Sequence, residues 1–142
     1  MNKCKSKCEK HKKKKCGCSN TKHKFYTLTT GVLMKNTSTL SAIINMANLG
    51  QNNSYPITCE VWDWSSYSDP VKVPIFIGEN KQVKYSYNLE PQNLAVMYAP
   101  LDREIKYFEV RVTIPADKNI VVECYERSPK FSTSRSLENF QQ

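Results

Sequence analysis

The sequence predicts an all-β body, a single eight-stranded antiparallel sandwich, behind an extended basic N-terminal arm. Three observations carry that expectation. Short runs rich in Val, Ile, Tyr, Phe and Thr recur from Phe25 onward at intervals of 8 to 12 residues, and such runs favour pleated strands over helices. Clusters of Asn, Gly, Pro, Ser and Asp separate them with no long helical pattern between, so turns join neighbouring strands and the pairing is antiparallel. The third is a break in charge. The first 24 of 142 residues hold ten lysines and one acid, Glu9, while in the remainder eleven Lys/Arg face twelve Asp/Glu, so an arm of +9 precedes a body of −1.

The arm is read as residues 1–24, the sandwich domain as 25–127 and a polar C-terminal tail as 128–142. One domain of ordinary size fits this length. In the arm there is no periodic apolar residue, and the run Lys12 to Lys15 repels itself, so the segment is expected to be extended until something pairs with it.

Strands are expected at 25–34, 40–49, 57–64, 71–77, 83–89, 94–98, 105–114 and 120–127. The first starts at Phe25 and Tyr26 and stops at the polar turn 35–38. The second also fits helical spacing through Ala42, Ile43, Met46 and Ala47 with Ser41 as a cap; Asn45, Asn48 and the flanking Gly50 favour strand. The third lies between the turns 51–54 and 65–70, and the fourth ends at 78–80. The fifth and sixth are separated by Pro91, Gln92 and Asn93. Alternation is clearest in the seventh, where Phe108, Val110, Val112 and Ile114 share one face and Glu109, Arg111 and Thr113 the other, the pattern of a half-buried antiparallel strand. The eighth follows the turn 115–119.

Few residues invite catalysis. Both histidines, His11 and His23, lie in the arm, and the body acids fall at outward strand positions or in turns, where solvated charge is the expected role. Gly31, Gly50 and Gly78 are isolated, so no phosphate-cradling loop exists. No catalytic residue, cofactor or small-molecule substrate is expected, and the chain is not read as an enzyme. Trp62 and Trp64 project from one side of one strand. They either cover the sheet or serve as interface aromatics.

Cysteine is the remaining chemistry. Cys4, Cys8, Cys16 and Cys18, with His11 and His23, form the arm's ligand set, but the spacings CxxxC and CxC suit a tetrahedral zinc site poorly and the neighbouring ammonium groups oppose a dication. No metal is assigned to them. The same lysines stabilise thiolate, which favours thiol–disulfide exchange. Cys59 and Cys124 alternate with apolar residues, so both fall on the inward faces of their strands. Three readings stand for them: buried free thiols, an intradomain bridge, or bonds to an arm cysteine of another copy.

A Cys-bearing N-terminal connector ahead of a small eight-stranded body with two strand cysteines resembles the Ena-type endospore appendage subunits of spore-forming bacilli. That resemblance implies a jelly-roll-like body that stacks into fibres, with connector-to-body disulfides. Cys16 and Cys18 would take the connector role and Cys59 and Cys124 the acceptor role; all six cysteines are candidates for intersubunit bonds. Copies of the chain itself, and another spore-surface protein, would be the partners.

The absence of an 18-residue apolar stretch leads us to expect no membrane span, and the absence of an apolar h-region to expect synthesis without a signal peptide, with work at the spore surface or outside the cell. Two alternatives remain. A basic arm before a neutral sandwich also suits a nucleic-acid-packaging coat protein, although the arm contains no arginine and no aromatic before Phe25. The other alternative is a metal-binding or anchoring module.

Overall fold

Alternation, proline and glycine divide the body into short strands. A computed structural model describes residues 24–116, 119–129, 132–135 and 138–140. The strands are β1 (Phe25–Thr29), β2 (Leu33–Met34), β3 (Ser41–Asn48), β4 (Tyr55–Asp63), β5 (Val71–Val73), β6 (Phe76–Ile77), β7 (Lys81–Gln82), β8 (Tyr87–Leu89), β9 (Leu94–Pro100), β10 (Tyr107–Pro115), β11 (Ile120–Arg127), β12 (Ser132–Arg135) and β13 (Glu138–Phe140). No helix occurs among the described residues.

They form two antiparallel sheets. The first runs β13-β1-β10-β4-β5, with β2 also beside β10 and β8 also beside β4; the second runs β12-β11-β3-β9-β6-β7. Inward side chains of both sheets build one hydrophobic cluster that includes Ala42, Ile44, Met46, Ile57, Val61, Met97, Phe108, Val110 and Val112. The arrangement is sandwich-like. Burying a side chain the size of Phe108 or Ile44 stabilises by about 1.5–3 kcal/mol.

Eight strands were expected and thirteen are present among the described residues, for local reasons. The first expected strand breaks into β1 and β2 around Gly31, whose φ of 67° lies in the left-handed region that favours glycine. Thr30 bridges the break, because its Oγ1 accepts from the Val110 N–H at 3.0 Å. The fourth splits at Pro74, which has no N–H to continue a ladder. Before it β5 pairs with β4 in the first sheet, and after it β6 pairs with β9 in the second. Of the fifth only Tyr87–Leu89 is strand, as β8 beside β4, while β7 lies just before the expected segment at Lys81–Gln82, in the other sheet. The segment 128–142, read as a polar tail, contains β12 against β11 and β13 against β1, one further strand on each sheet.

The ambiguous segment 40–49 is strand. Ala42, Ile44, Met46 and Asn48 face inward with no exposure, which a helix could not arrange. On β10 Phe108, Val110, Val112 and Ile114 are buried and Arg111 and Thr113 half-buried as the alternation predicts, but Glu109 is buried too.

Candidate functional site: the body thiols and the tryptophan face

Cys59 sits where the first sheet is incomplete. On the side of β4 away from β10, β8 pairs with Tyr55, Pro56 and Ile57, and β5 pairs with Val61, Trp62 and Asp63, leaving Thr58, Cys59 and Glu60 without a neighbouring strand on that side. The gap arises because the chain leaves the first sheet at Pro74, visits the second as β6 and β7, and returns as β8. A cavity of about 460 Å³ opens there, lined among others by Cys59, Glu60, Lys72, Ile75, Val83 and Tyr85.

Cys124 occupies a different position. It faces inward from β11 with 1% exposure, opposite Ile44 in the register with β3. Cys59 is half-buried and packs against the same core cluster that contains Cys124. Both thiols are free. Burial pushes the Cys59 thiol far up, with Cys124 and Glu60 adding to the shift. Burial also pushes Cys124 up to about 12, with Glu126 adding to it. Both are therefore thiols near neutral pH, weak nucleophiles and weak metal ligands.

The outward face of the first sheet carries a charged and aromatic lattice. Trp62 has Lys72 Nζ 5.3 Å and the Arg111 guanidinium 5.4 Å from its ring centroid. Lys72 pairs with Glu60 at 2.8 Å. Trp64 Nε1 donates to Glu109 Oε1 at 3.0 Å, Arg111 Nη2 donates to the same oxygen at 2.9 Å, and Thr29 Oγ1 donates to Oε2 at 2.6 Å. Burial raises the Glu109 carboxyl, but the donors Arg111, Thr29 and Trp64 together outweigh it and hold the group below its ordinary value. The two tryptophans are thus held within the sheet surface by neighbours on β5 and β10. Trp62 Nε1 itself is buried and meets no hydrogen-bond partner.

Sequence reasoning placed the body acids in solvent, and for two of them that is corrected here. Glu109 is 7% exposed and Glu126 3%. Alternation put Glu109 on the polar face, but only the pairing of β10 with β1 and β4, which brings Thr29 and Trp64 to it beside Arg111, reveals the donors that let it be covered. A faint signal existed in Glu109 and Arg111 two residues apart on one strand face.

The outward face of the second sheet differs. Val121, Ala47 and Leu94 form one cross-strand row, and Glu123, Asn45 and Val96 the next. Val121, Leu94 and Val96 are 49%, 63% and 41% exposed, and Asn45 Oδ1 is buried without a hydrogen-bond partner.

Cys4, Cys8, Cys16 and Cys18, together with His11 and His23, lie outside the described residues. Among the described residues no three of His, Cys, Asp and Glu are grouped to hold a metal ion, and no helix is long and apolar enough to cross a membrane. Comparison with protein-family models, curated proteins and solved structures finds no match. The functional reading therefore rests on the residues themselves.

Proposed function

We propose that this chain is a structural, non-enzymatic subunit that self-assembles into an extracellular or spore-surface fibre, its N-terminal arm linked to neighbouring copies by disulfides. The observation that carries the reading is the partly apolar outward face of β11, β3 and β9, where Val121, Leu94 and Val96 stand exposed in adjacent rows. Exposed apolar patches of this kind favour association. A jelly-roll reading of the body is supported by the strand order, since β1-β10-β4 and β11-β3-β9 each interleave early with late strands. The arm brings four cysteines among ten lysines, a setting that lowers thiol pKa and speeds exchange.

Within this reading the two body cysteines are unequal acceptors. Cys59 borders an opening at the side of the first sheet, whereas Cys124 is 1% exposed, so a neighbour's arm reaches Cys59 first. The test is electron microscopy of purified chain with reducing and non-reducing denaturing gels. Fibres that resist denaturant only without reductant support the proposal, and a monodisperse free-thiol monomer at high concentration under oxidising conditions refutes it.

A further inference from the structure

Cys59 and Cys124 approach one core from opposite sheets. Cys59 belongs to the inward row Tyr55, Ile57, Cys59 and Val61 of β4, and Cys124 to the inward row Ile120, Val122 and Cys124 of β11. Cys124 is part of the central cluster, Cys59 packs against it, and neither sulfur is bonded. Burial and then Cys124 raise the Cys59 thiol, in keeping with two inward thiols that share one core. The neighbours in register, Val112 beside Cys59 and Ile44 beside Cys124, are apolar and bring no competing ligand.

From this convergence we infer that Cys59 and Cys124 form an intersheet disulfide within one body, a redox latch joining β4 of the first sheet to β11 of the second. The latch depends on the body alone and not on the fibre reading. It also competes with that reading, because a Cys59 bonded to Cys124 cannot accept an arm from another copy. An oxidised body would then leave the arm to other acceptors, and a reduced one would offer Cys59 at the opening.

The oxidant is a small-molecule disulfide such as oxidised glutathione, which reaches Cys59 through the opening between β5 and β8. Cys59 releases its proton to water and attacks one sulfur of that disulfide; the S–S bond breaks and one small thiolate leaves to take up a proton. Cys124 then loses its proton and attacks the Cys59 sulfur of the mixed disulfide, expelling the second small thiol. Two protein thiols are oxidised and one disulfide is reduced to two thiols. Because both protein thiols hold their protons near neutrality, the rate should rise about tenfold per pH unit through the neutral range.

The experiment uses the full chain with Cys4→Ser, Cys8→Ser, Cys16→Ser and Cys18→Ser, so that only Cys59 and Cys124 remain. After incubation with oxidised glutathione the protein is denatured, alkylated with iodoacetamide and weighed intact, with peptide mapping of any link. The latch predicts a monomer about 2 Da lighter than the dithiol, no alkylation, and a peptide pair joined through Cys59 and Cys124. It also predicts a thermal midpoint about 10 °C higher that reverts on reduction, as expected for closing a long loop. Adding Cys124→Ala should stop the reaction at a glutathione adduct on Cys59. Two alkylated thiols, a persistent adduct on Cys59 with Cys124 present, or a link between two chains would overturn the latch. Fibre formation is scored separately by microscopy, so loss of the latch and loss of assembly are distinguishable.

Discussion

Trp64 on the loop after β4 donates its indole N–H to Glu109 on β10 at 3.0 Å, joining a tryptophan to a carboxylate that is itself 7% exposed. The contact explains how an acid sits within a sheet surface: three donors surround it, so the charged form stays favoured despite burial. Replacing Trp64 with Phe keeps most of the ring area and removes one donor. The expected outcome is a loss of about 1–2 kcal/mol in urea unfolding with an unchanged m-value, as for one charge-assisted hydrogen bond.

Glu109 also sets an expectation for acid. Its folded pKa lies below the ordinary carboxylate value, so its contribution is present above the unfolded pKa and is lost as pH falls through the folded one. Between about pH 5 and pH 2 the protein should lose stability in part through this group. Glu109→Gln is expected to be less stable at pH 7, because the amide weakens the pairing with Arg111, and to show a shallower fall in thermal midpoint over that acid range. Thermal midpoints measured at both ends of the range check this.

The regular strands were legible and the corners were not. Alternation fixes the faces of β10 and β11 because each presents one face to the core, and a slip of one residue would expose Phe108, Val110 and Val112 together. Pro74 is visible in the sequence, yet nothing local says that the chain changes sheets there, since that depends on which edges are vacant. The strands β12 and β13 show no apolar alternation in sequence, so their pairing with β11 and β1 was not legible there. Cys59 and Cys124 were read as inward from spacing alone. What spacing could not give is the vacancy in the sheet beside Cys59, which follows from pairings between residues far apart in the chain.

Asn48 is a structural residue that polarity alone would have put in solvent. It has no exposure, its Nδ2 donates to the Asn53 carbonyl at 2.8 Å and to the Leu89 carbonyl at 3.2 Å, and its Oδ1 accepts from the Gly50 N–H at 3.0 Å. Asn48→Leu leaves those three backbone groups without their side-chain partner. Stability should drop by about 3 kcal/mol or more, since each buried unsatisfied group costs roughly 1–3 kcal/mol. Urea unfolding followed by tryptophan fluorescence reads the change.

Assembly through the second sheet would answer to charge placed on its outward face. Leu94 and Val121 flank Ala47 in one row and are largely solvent-facing in the single chain, so Leu94→Lys with Val121→Lys should alter the body's own stability by no more than about 0.5 kcal/mol each. In a packed contact the same two ammonium groups would be buried without partners, a cost of several kcal/mol per interface. The expected outcome is a double variant with a native thermal midpoint that forms no fibre under conditions where the parent does. Cys16→Ser with Cys18→Ser separates covalent from packing contributions, because removing the connector thiols should leave fibres that assemble but dissolve in denaturant. Electron microscopy and light scattering, run beside non-reducing gels, distinguish the two. Normal assembly of the double lysine variant would assign the contact to another face.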